Sequence, residues 1–177
     1  MGKLLIRQHI RQQQANLTAE RREAASKCIF AAIESANEFI ESNYIAIYHA
    51  LADEIPTMEV IERWSEMGKT VLLPRVEGEQ MQFYRANNTE LKAGSYGILE
   101  PQVGEPVDAK QIELMVVPGV AFCRDGRRLG RGKGYYDRYL SKCANSLYKI
   151  GVCFNHQIVE NIPCDIHDIS MNVVLSD

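Results

Sequence analysis

Apolar residues recur every three or four positions in some parts of this 177-residue chain and form short continuous runs in others. Together these patterns predict helices that alternate with strands. Residues 2–14 are typical of a short helix. Thr18 can cap a second helix, in which apolar residues recur every three or four positions as far as residue 40. Thr57 can cap a third helix, which Gly68 ends, and a fourth is predicted over residues 135–143. The inward positions of the second and third helices are Ala25, Cys28, Ile29, Ala32, Ile33, Ala36, Phe39 and Ile40, then Val60, Ile61 and Trp64.

Short apolar runs between these helices predict the strands, which cover residues 44–49, 70–76, 81–86, 112–122, 147–154 and 170–176. The polar residues 77–80 predict a hairpin between the second and third strands. Residues 87–111 are rich in turn-forming residues, which predicts a long ordered loop. Because strands alternate with helices, we expect a single three-layer α/β domain over residues 1–177, with a mostly parallel central sheet flanked by helices.

Composition and charge narrow the classes of function. The net charge of -3 and a pI near 5.8 argue against a general nucleic-acid binder, which is usually basic throughout. The longest apolar run, residues 114–122, is about half the length that a membrane span requires, roughly twenty residues. The N-terminal residues lack a signal-peptide core, and the five cysteines form no CxxC pair. We therefore expect a cytoplasmic protein with reduced cysteines, and a monomer.

The segment GRRLGRGKGYYDRYL, residues 126–140, concentrates glycine and positive charge in an acidic chain. Six Lys or Arg residues lie between positions 124 and 138, against two Asp residues. The segment follows a buried strand and enters a helix, which is where open α/β sheets bind ligands. Glycines let backbone N–H groups approach a phosphate, and Arg or Lys neutralises its charge. The spacing matches neither the dinucleotide motif nor the P-loop motif, so the residues alone leave a solvated surface loop open.

Two further features have both a structural and a functional interpretation. Lys3, Arg7 and Arg11 are spaced by four and share one helical face, which without other context is typical of a solvated basic stripe. Asp137 lies in the first turn of its helix, where a carboxylate caps the helix or, beside bound phosphates, holds Mg²⁺. Basic and aromatic residues of 127–139 also leave open a non-catalytic nucleotide- or RNA-binding module.

The sequence RLGRGKGYYDRYL, preceded by VVPGVAF, closely resembles the 5-formyltetrahydrofolate cyclo-ligase family. The resemblance extends in the correct order over nearly the whole chain. Its further segments are KLLIR (3–7), IAIYHALADEIPT (45–57), VLLPRV, MQFY, GILEP and IPCDIHDISMNVVLSD. Two positions depart from the family pattern, because Ile6 replaces the usual Leu and Asn172 stands where an Asp is common.

The resemblance implies an ATP- and Mg²⁺-dependent enzyme that converts 5-formyltetrahydrofolate to 5,10-methenyltetrahydrofolate with release of ADP and phosphate. The implied ATP contacts are Lys3, Leu4, Leu5, Ile6, Arg7, Arg128, Leu129, Gly130, Arg131, Gly132, Lys133, Gly134, Tyr135 and Tyr136. The implied folate contacts are His49, Glu54, Arg131, Gly132, Lys133, Gly134 and Tyr135. Arg131, Lys133 and Tyr135 are the implied catalytic residues, and Asp137 and Asp168 the implied Mg²⁺ ligands.

The resemblance also predicts one long-range contact. If the N-terminal helix contributes to the ATP site, Lys3 and Arg7 lie beside the glycine-rich segment. Phosphorylation of the formyl oxygen would explain why ATP is required, since that oxygen is a poor leaving group. The sequence leaves open the alternative that the enzyme uses ATP but acts on a different small-molecule acceptor.

Overall fold

The computed structural model of this protein describes residues 2–15, 17–86, 91–93, 99–101 and 104–177. Its helices are α1 (Lys3–Gln14), α2 (Ala19–Glu34), α3 (Asn37–Glu41), α4 (Met58–Glu66) and α5 (Tyr135–Leu140). Its strands are β1 (Tyr44–Ala46), β2 (Thr70–Glu77), β3 (Gln80–Arg85), β4 (Leu91–Ala93), β5 (Leu99–Pro101), β6 (Leu114–Pro118), β7 (Ala121–Phe122), β8 (Arg128–Leu129), β9 (Tyr148–Cys153) and β10 (Val173–Ser176).

Six of these strands form a central sheet in the order β10–β9–β6–β1–β2–β3. All neighbours are parallel except β2 and β3, which form the predicted antiparallel hairpin. Two small antiparallel pairs, β4–β5 and β7–β8, lie outside this sheet. The mostly parallel sheet predicted from the sequence is therefore confirmed.

Helices cover both faces of the sheet. Side chains alternate along a strand, so successive residues of one strand pack against opposite helical layers. On β6, Leu114 and Val116 belong to the hydrophobic cluster formed with α2, α3 and α4. Met115 and Val117 belong to the cluster on the opposite face, which α5 covers. Trp64 is fully buried in the first cluster and packs against two phenylalanine rings. The expected three-layer α/β arrangement is confirmed.

A smaller third cluster fixes α1 to the body of the protein. Ile6 and Ile10 of α1 are buried against Ala121, Leu129 and Ile162. Because residues three and four apart share a helical face, burial of this apolar stripe determines where the basic stripe of α1 points.

The predicted second helix is in fact two helices. It ends at Glu34, Ala36 takes an extended backbone conformation, and α3 follows. The carboxylate of Glu34 accepts hydrogen bonds from Trp64 Nε1 at 2.7 Å and from Arg63 Nη2 at 2.7 Å. Ile40, predicted to face inward, is 59% exposed. The apolar spacing runs on through the break, so the pattern alone could not reveal it.

Thr57 does not cap the third helix as predicted. Its hydroxyl donates to the Tyr48 carbonyl at 2.8 Å and accepts from the Ala50 N–H at 3.1 Å. The hydroxyl therefore closes the loop between β1 and α4. The helix ends at Glu66, and Gly68 stops its continuation as predicted, since its φ of 80° lies in the left-handed region that glycine tolerates.

Several predicted elements are shorter in the structure. The strand predicted over 44–49 is β1 (Tyr44–Ala46), and the strand predicted over 170–176 is β10 (Val173–Ser176). The strand predicted over 112–122 divides into β6 and β7 at Pro118 and Gly119, where the Phe122 ring packs so closely that a Cβ on Gly119 would lie 2.6 Å from it. The helix predicted over 135–143 ends at Leu140. Residues 87–90, 94–98 and 102–103 of the predicted long loop lie outside the described residues, and its described part contains β4, β5 and a 3₁₀ turn at Ala109–Gln111. None of the described helices combines the length and apolar character that crossing a membrane requires.

Candidate functional site

The carboxyl ends of the parallel strands open into a large cavity, with a volume of about 1320 Å³. Its walls include the polar face of α1, the glycine loop (residues 130–134) and the acidic loop (residues 51–54). The implied site residues that line it are Lys3, Arg7, His49, Glu54, Arg128, Leu129, Gly130, Arg131, Gly132, Lys133, Gly134, Tyr135, Tyr136, Asp137 and Asp168. The structure thus brings together residues from four separate segments of the chain.

The glycine loop owes its shape to residues without a side chain. Gly132 and Gly134 have φ angles of 104° and 69°, which other residues rarely adopt. Gly134 is the N-cap of α5, a helix of only six residues. At Gly130, a Cβ would lie 2.9 Å from Nη1 of Arg128. The loop is therefore a shaped wall of the cavity, and the solvated-loop interpretation is not favoured.

The basic stripe of α1 faces this loop. Arg7 Nε donates to the Gly130 carbonyl oxygen at 2.9 Å. Lys3 Nζ lies 2.6 Å from Asp165 Oδ2 and 2.7 Å from Asp168 Oδ2. The prediction that Arg7 lies beside the glycine-rich segment is confirmed, whereas Lys3 lines the same cavity but bonds to Asp165 and Asp168. The interpretation of the stripe as purely solvated is wrong.

The apolar residues of the implied ATP set occupy other positions. Leu4 and Leu5 are 66% and 55% exposed and are not among the described residues that line the cavity. Ile6 is buried in the cluster beneath α1, and so is Leu129, which also reaches the cavity wall. The structure gives Ile6 a packing role in holding α1.

Arg128 and Asp137 form an ion pair at the cavity wall. Arg128 Nη2 donates to Asp137 Oδ2 at 2.8 Å, and the Arg128 side chain is only 4% exposed. The other oxygen of Asp137 accepts from the backbone N–H of Ile169 at 3.3 Å. Asp137 therefore compensates a buried positive charge as well as facing the cavity.

Asp168 lies on the segment adjacent to Asp137, since Ile169 is the next residue. Partial burial opposes ionisation of Asp168, but hydrogen bonds from the Lys3 ammonium and the Asp165 N–H outweigh it and lower the pKa of Asp168. Asp168 is consequently an anion at neutral pH.

These two carboxylates fit a magnesium ion only with help from a ligand. The described residues contain no group of three or more His, Cys, Asp or Glu side chains placed to hold a metal. Mg²⁺ commonly takes one or two carboxylates and completes its octahedron with water and phosphate oxygens. Asp137 and Asp168 suit that arrangement, because they supply two carboxyl groups to the lining of the cavity.

The acidic loop opposes the glycine loop. Glu54 Oε2 accepts from the Leu51 N–H at 2.9 Å, and Oε1 accepts from Arg131 Nη2 at 3.1 Å. Burial raises the pKa of Glu54, while the Leu51 N–H and the Arg131 charge act in the opposite direction. Arg131 Nη2 also donates to Asp53 Oδ1 at 2.6 Å. Gln14 of α1 holds the loop through the Asp53 carbonyl at 2.8 Å.

His49 offers polar atoms that are not satisfied by the protein. Both of its ring nitrogens are buried, and neither has a hydrogen-bond partner in the part of the chain that the structure describes. Burial lowers the pKa of His49, which favours the neutral imidazole. A neutral imidazole presents one donor and one acceptor, so His49 is suited to orient a polar ligand.

The aromatic residues after the glycine loop are held by neighbouring cations. The hydroxyl of Tyr135 donates to the Gly78 carbonyl at 3.2 Å, and the Arg138 guanidinium lies 5.4 Å from the Tyr135 ring centre. Burial raises the pKa of Tyr136, so its hydroxyl stays protonated. The exposed ammonium of Lys133 has no ion-pair or hydrogen-bond partner among the described residues, which leaves it available to an anion.

Sequence reasoning assigned no role at the site to several residues that line the cavity, namely Arg11, Arg22, Asp53, Glu100 and Asp165. Asp53 precedes Glu54, and Asp165 lies three positions before Asp168, so proximity to an assigned acid was the available signal. Asn172, the second departure from the family pattern, exchanges hydrogen bonds with the backbone of Lys149 at 2.8 and 2.9 Å and stabilises β9.

The fold and the cavity define an α/β protein with a ligand site at the carboxyl ends of parallel strands. The model of the 5-formyltetrahydrofolate cyclo-ligase family matches residues 1–177. The chain therefore belongs to the 5-formyltetrahydrofolate cyclo-ligase family and is an enzyme.

Individual relatives agree with the family match. The chain is 32% identical to the 5-formyltetrahydrofolate cyclo-ligase of Mus musculus, over 96% of this chain and 91% of the relative. It is 31% identical to that of Haemophilus influenzae, over 96% of this chain and 95% of the relative.

Solved structures give the same result. The 5,10-methenyltetrahydrofolate synthetase of Aquifex aeolicus superimposes with a TM-score of 0.88 at 34% identity, covering 99% of this chain and 90% of the other. A synthetase from Mycoplasma pneumoniae shares the fold, with a TM-score of 0.79 at 23% identity and 98% coverage of both chains.

Proposed function

We propose that this protein converts 5-formyltetrahydrofolate to 5,10-methenyltetrahydrofolate, with ATP as the co-substrate and Mg²⁺ as the metal, and releases ADP and phosphate. The observation that carries the proposal is the position of two unlike walls in one cavity. A cationic wall of Lys3, Arg7 and the glycine loop faces the wall that bears His49 and Glu54.

The cationic wall suits the phosphates of ATP. Guanidinium groups lie close to the three glycines of the loop, those of Arg128, Arg7 and Arg138 at Gly130, Gly132 and Gly134. Charge-assisted hydrogen bonds from Arg and Lys to phosphate are about twice as strong as neutral ones. Arg7 fixes the loop through Gly130, and the ammonium of Lys133 is available to a phosphate. Asp137 and Asp168 would hold Mg²⁺, which neutralises phosphate charge when it is bound with ATP.

The opposite wall suits the folate. A pterin ring presents an N–H and an adjacent amino group, and a carboxylate such as Glu54 can accept a hydrogen bond from each of them. His49 adds one donor and one acceptor from a buried position. Tyr135 lines the cavity at the end of the glycine loop and would contact both substrates.

The proposed chemistry needs no protein nucleophile. The formyl oxygen attacks the γ-phosphorus of ATP, and the bond from phosphorus to the bridging oxygen breaks to release ADP. The neighbouring folate nitrogen then attacks the formyl carbon and loses its proton, and the carbon–oxygen bond breaks to release phosphate. Arg131 and Lys133 would stabilise the negative charge on the transferred phosphoryl group, so the contribution of the protein is positioning and electrostatics.

The alternative function, a non-catalytic nucleotide- or RNA-binding module, is less consistent with the ion pairs made by the arginines of residues 126–140. Arg127 pairs with Asp125, Arg128 pairs with Asp137, and Arg131 pairs with acids of the acidic loop. Exposed nucleic-acid patches present unpaired positive charge to the backbone phosphates. The monomeric state and the cytoplasmic location remain predictions from the sequence.

The direct test follows the absorbance of the methenyl product in a mixture of purified protein, 5-formyltetrahydrofolate and Mg-ATP. We expect product only when all three are present, with one ADP formed per product. Product formation without ATP, or ATP binding with no product, would contradict the proposal. Replacing 5-formyltetrahydrofolate with other N-formyl compounds, with ADP release as the readout, tests the alternative that the enzyme acts on a different acceptor.

A further inference from the structure

Arg131 joins the glycine loop to the acidic loop across the cavity. Its Nη2 donates to Asp53 Oδ1 at 2.6 Å and to Glu54 Oε1 at 3.1 Å, and its Nε lies 3.4 Å from the same Glu54 oxygen. One guanidinium thus faces two carboxylates, and when all three groups are ionised their net charge is negative. In this arrangement Arg131 offers no net positive charge to a phosphate.

The two sides of this cluster differ in freedom. Hydrogen bonds fix the acidic loop to α1 and α2, from Gln14 to the Asp53 carbonyl at 2.8 Å and from Arg22 to the Leu51 carbonyl at 3.4 Å. Arg131 lies between two glycines, and its side chain is 44% exposed. Ion pairs this exposed typically shift an equilibrium by no more than about fivefold, so the guanidinium can be released to a ligand. The Asp53 side chain is similarly exposed, at 42%, but its loop is held by these hydrogen bonds, so Arg131 is the more easily displaced member of the cluster.

Resting on the proposed function, we propose that Asp53 is a positioning residue that holds Arg131 against Glu54, and that ATP and 5-formyltetrahydrofolate bind cooperatively because each takes one member of this cluster. The phosphates of ATP take Arg131. The N–H groups of the pterin take the Glu54 oxygen that Arg131 occupies. The first ligand to bind breaks the ion pair between Arg131 and Glu54. The second ligand therefore binds without that free-energy cost. Because binding linkage is reciprocal, each ligand tightens the other by the same factor.

The test measures binding without turnover. The complete protein is titrated by calorimetry with the β,γ-imido analogue of ATP and Mg²⁺, with and without saturating 5-formyltetrahydrofolate, at fixed ionic strength. We expect the folate to tighten analogue binding by about two- to fivefold, as an exposed ion pair allows. In Asp53→Asn the analogue alone should bind tighter than to the wild type, and the effect of the folate should be smaller.

A double-mutant cycle separates the ion pair from a general change in charge. In an Arg131→Gln background, Asp53→Asn should leave the affinity for the analogue unchanged, whereas a general electrostatic effect would be equal in both backgrounds. Thermal unfolding of each variant verifies that it is folded. An unchanged affinity in Asp53→Asn, or an equal effect in both backgrounds, would overturn the inference.

The failure of this inference is distinguishable from the failure of the proposed function. If the wild type forms the methenyl product but its two ligands bind independently, only the cooperativity is wrong. If neither ligand binds, both the cooperativity and the proposed function are wrong.

Discussion

The side chain of Arg7 donates from Nε to the backbone carbonyl of Gly130 at 2.9 Å, although 123 positions separate the two residues in sequence. This bond ties the first helix to the glycine loop. Ile6 and Ile10, on the adjacent stripe, anchor the same helix to the body of the protein. The N-terminal helix is therefore a wall of the cavity whose removal would alter the loop.

Replacing Arg7 with Ala should lower kcat/KM for ATP, because the glycine loop loses its anchor and the phosphates lose a cation. A hydrogen bond from a charged group contributes about 1.5–3 kcal/mol, so we expect a loss of about tenfold or more. Gln12→Ala, an exposed position on the same helix, is the matched control. Equal kinetics of the two variants would show that Arg7 does not support the ATP site.

Lys133→Ala should reduce catalysis far more than stability. Its ammonium is exposed and lines the cavity, so its removal should change the free energy of unfolding by less than about 0.5 kcal/mol. Losing a phosphate contact should cost roughly 1.5–3 kcal/mol in the activation free energy. Steady-state kinetics and thermal unfolding measure the two effects. Lys142→Ala, an exposed lysine just after α5, should keep wild-type kinetics.

Glu54→Gln should raise the KM for folate and should not raise the KM for ATP, because an amide cannot accept both pterin donors as a carboxylate does. The pH dependence provides a second readout. Burial raises the pKa of Glu54, and only the ionised form accepts both donors. Folate affinity of the wild type should therefore fall as the pH decreases through this raised pKa.

The pH-dependent fall in folate affinity should be absent in Glu54→Gln, which cannot ionise. Measuring the folate KM across this pH range in both proteins compares them directly. A fall of equal size in the variant would assign the pH effect to another group, and an effect of the substitution confined to ATP would contradict the folate assignment.

Asp168→Asn should increase the Mg²⁺ concentration needed for half-maximal rate, because the proposed metal site loses an anionic ligand. Asp165→Asn is the matched control, since Asp165 shares the Lys3 ion pair but is 74% exposed. We expect a smaller change in that variant. An identical Mg²⁺ requirement in wild type and Asp168→Asn would remove Asp168 from the metal site.

Asp137→Asn should lower stability as well as the response to Mg²⁺. The Arg128 side chain is only 4% exposed and would lose its counter-ion, which we expect to cost about 1–3 kcal/mol in the free energy of unfolding. Denaturant unfolding at neutral pH measures the loss. A stability equal to that of Asp168→Asn would show that the Arg128 pair contributes little.

Much of the site could be predicted from the sequence because its elements are local. The glycines at 130, 132 and 134 follow a buried strand, and Lys3 and Arg7 form a stripe beside that of Ile6 and Ile10 on the same helix. Each of these patterns reflects a backbone geometry or a helical period that neighbouring residues determine.

The tertiary structure decided which partners these residues have. Arg131 pairs with Asp53 and Glu54, and Thr57 bonds to the Tyr48 carbonyl instead of capping a helix. Hydroxyl, carboxylate and guanidinium groups bond to whichever partner the packing brings within about 3 Å. The apolar spacing and the glycine motif therefore determined the elements and the kind of ligand that this protein suits. The pairing of charges across the cavity arose only when the sheet brought segments more than 70 positions apart into contact.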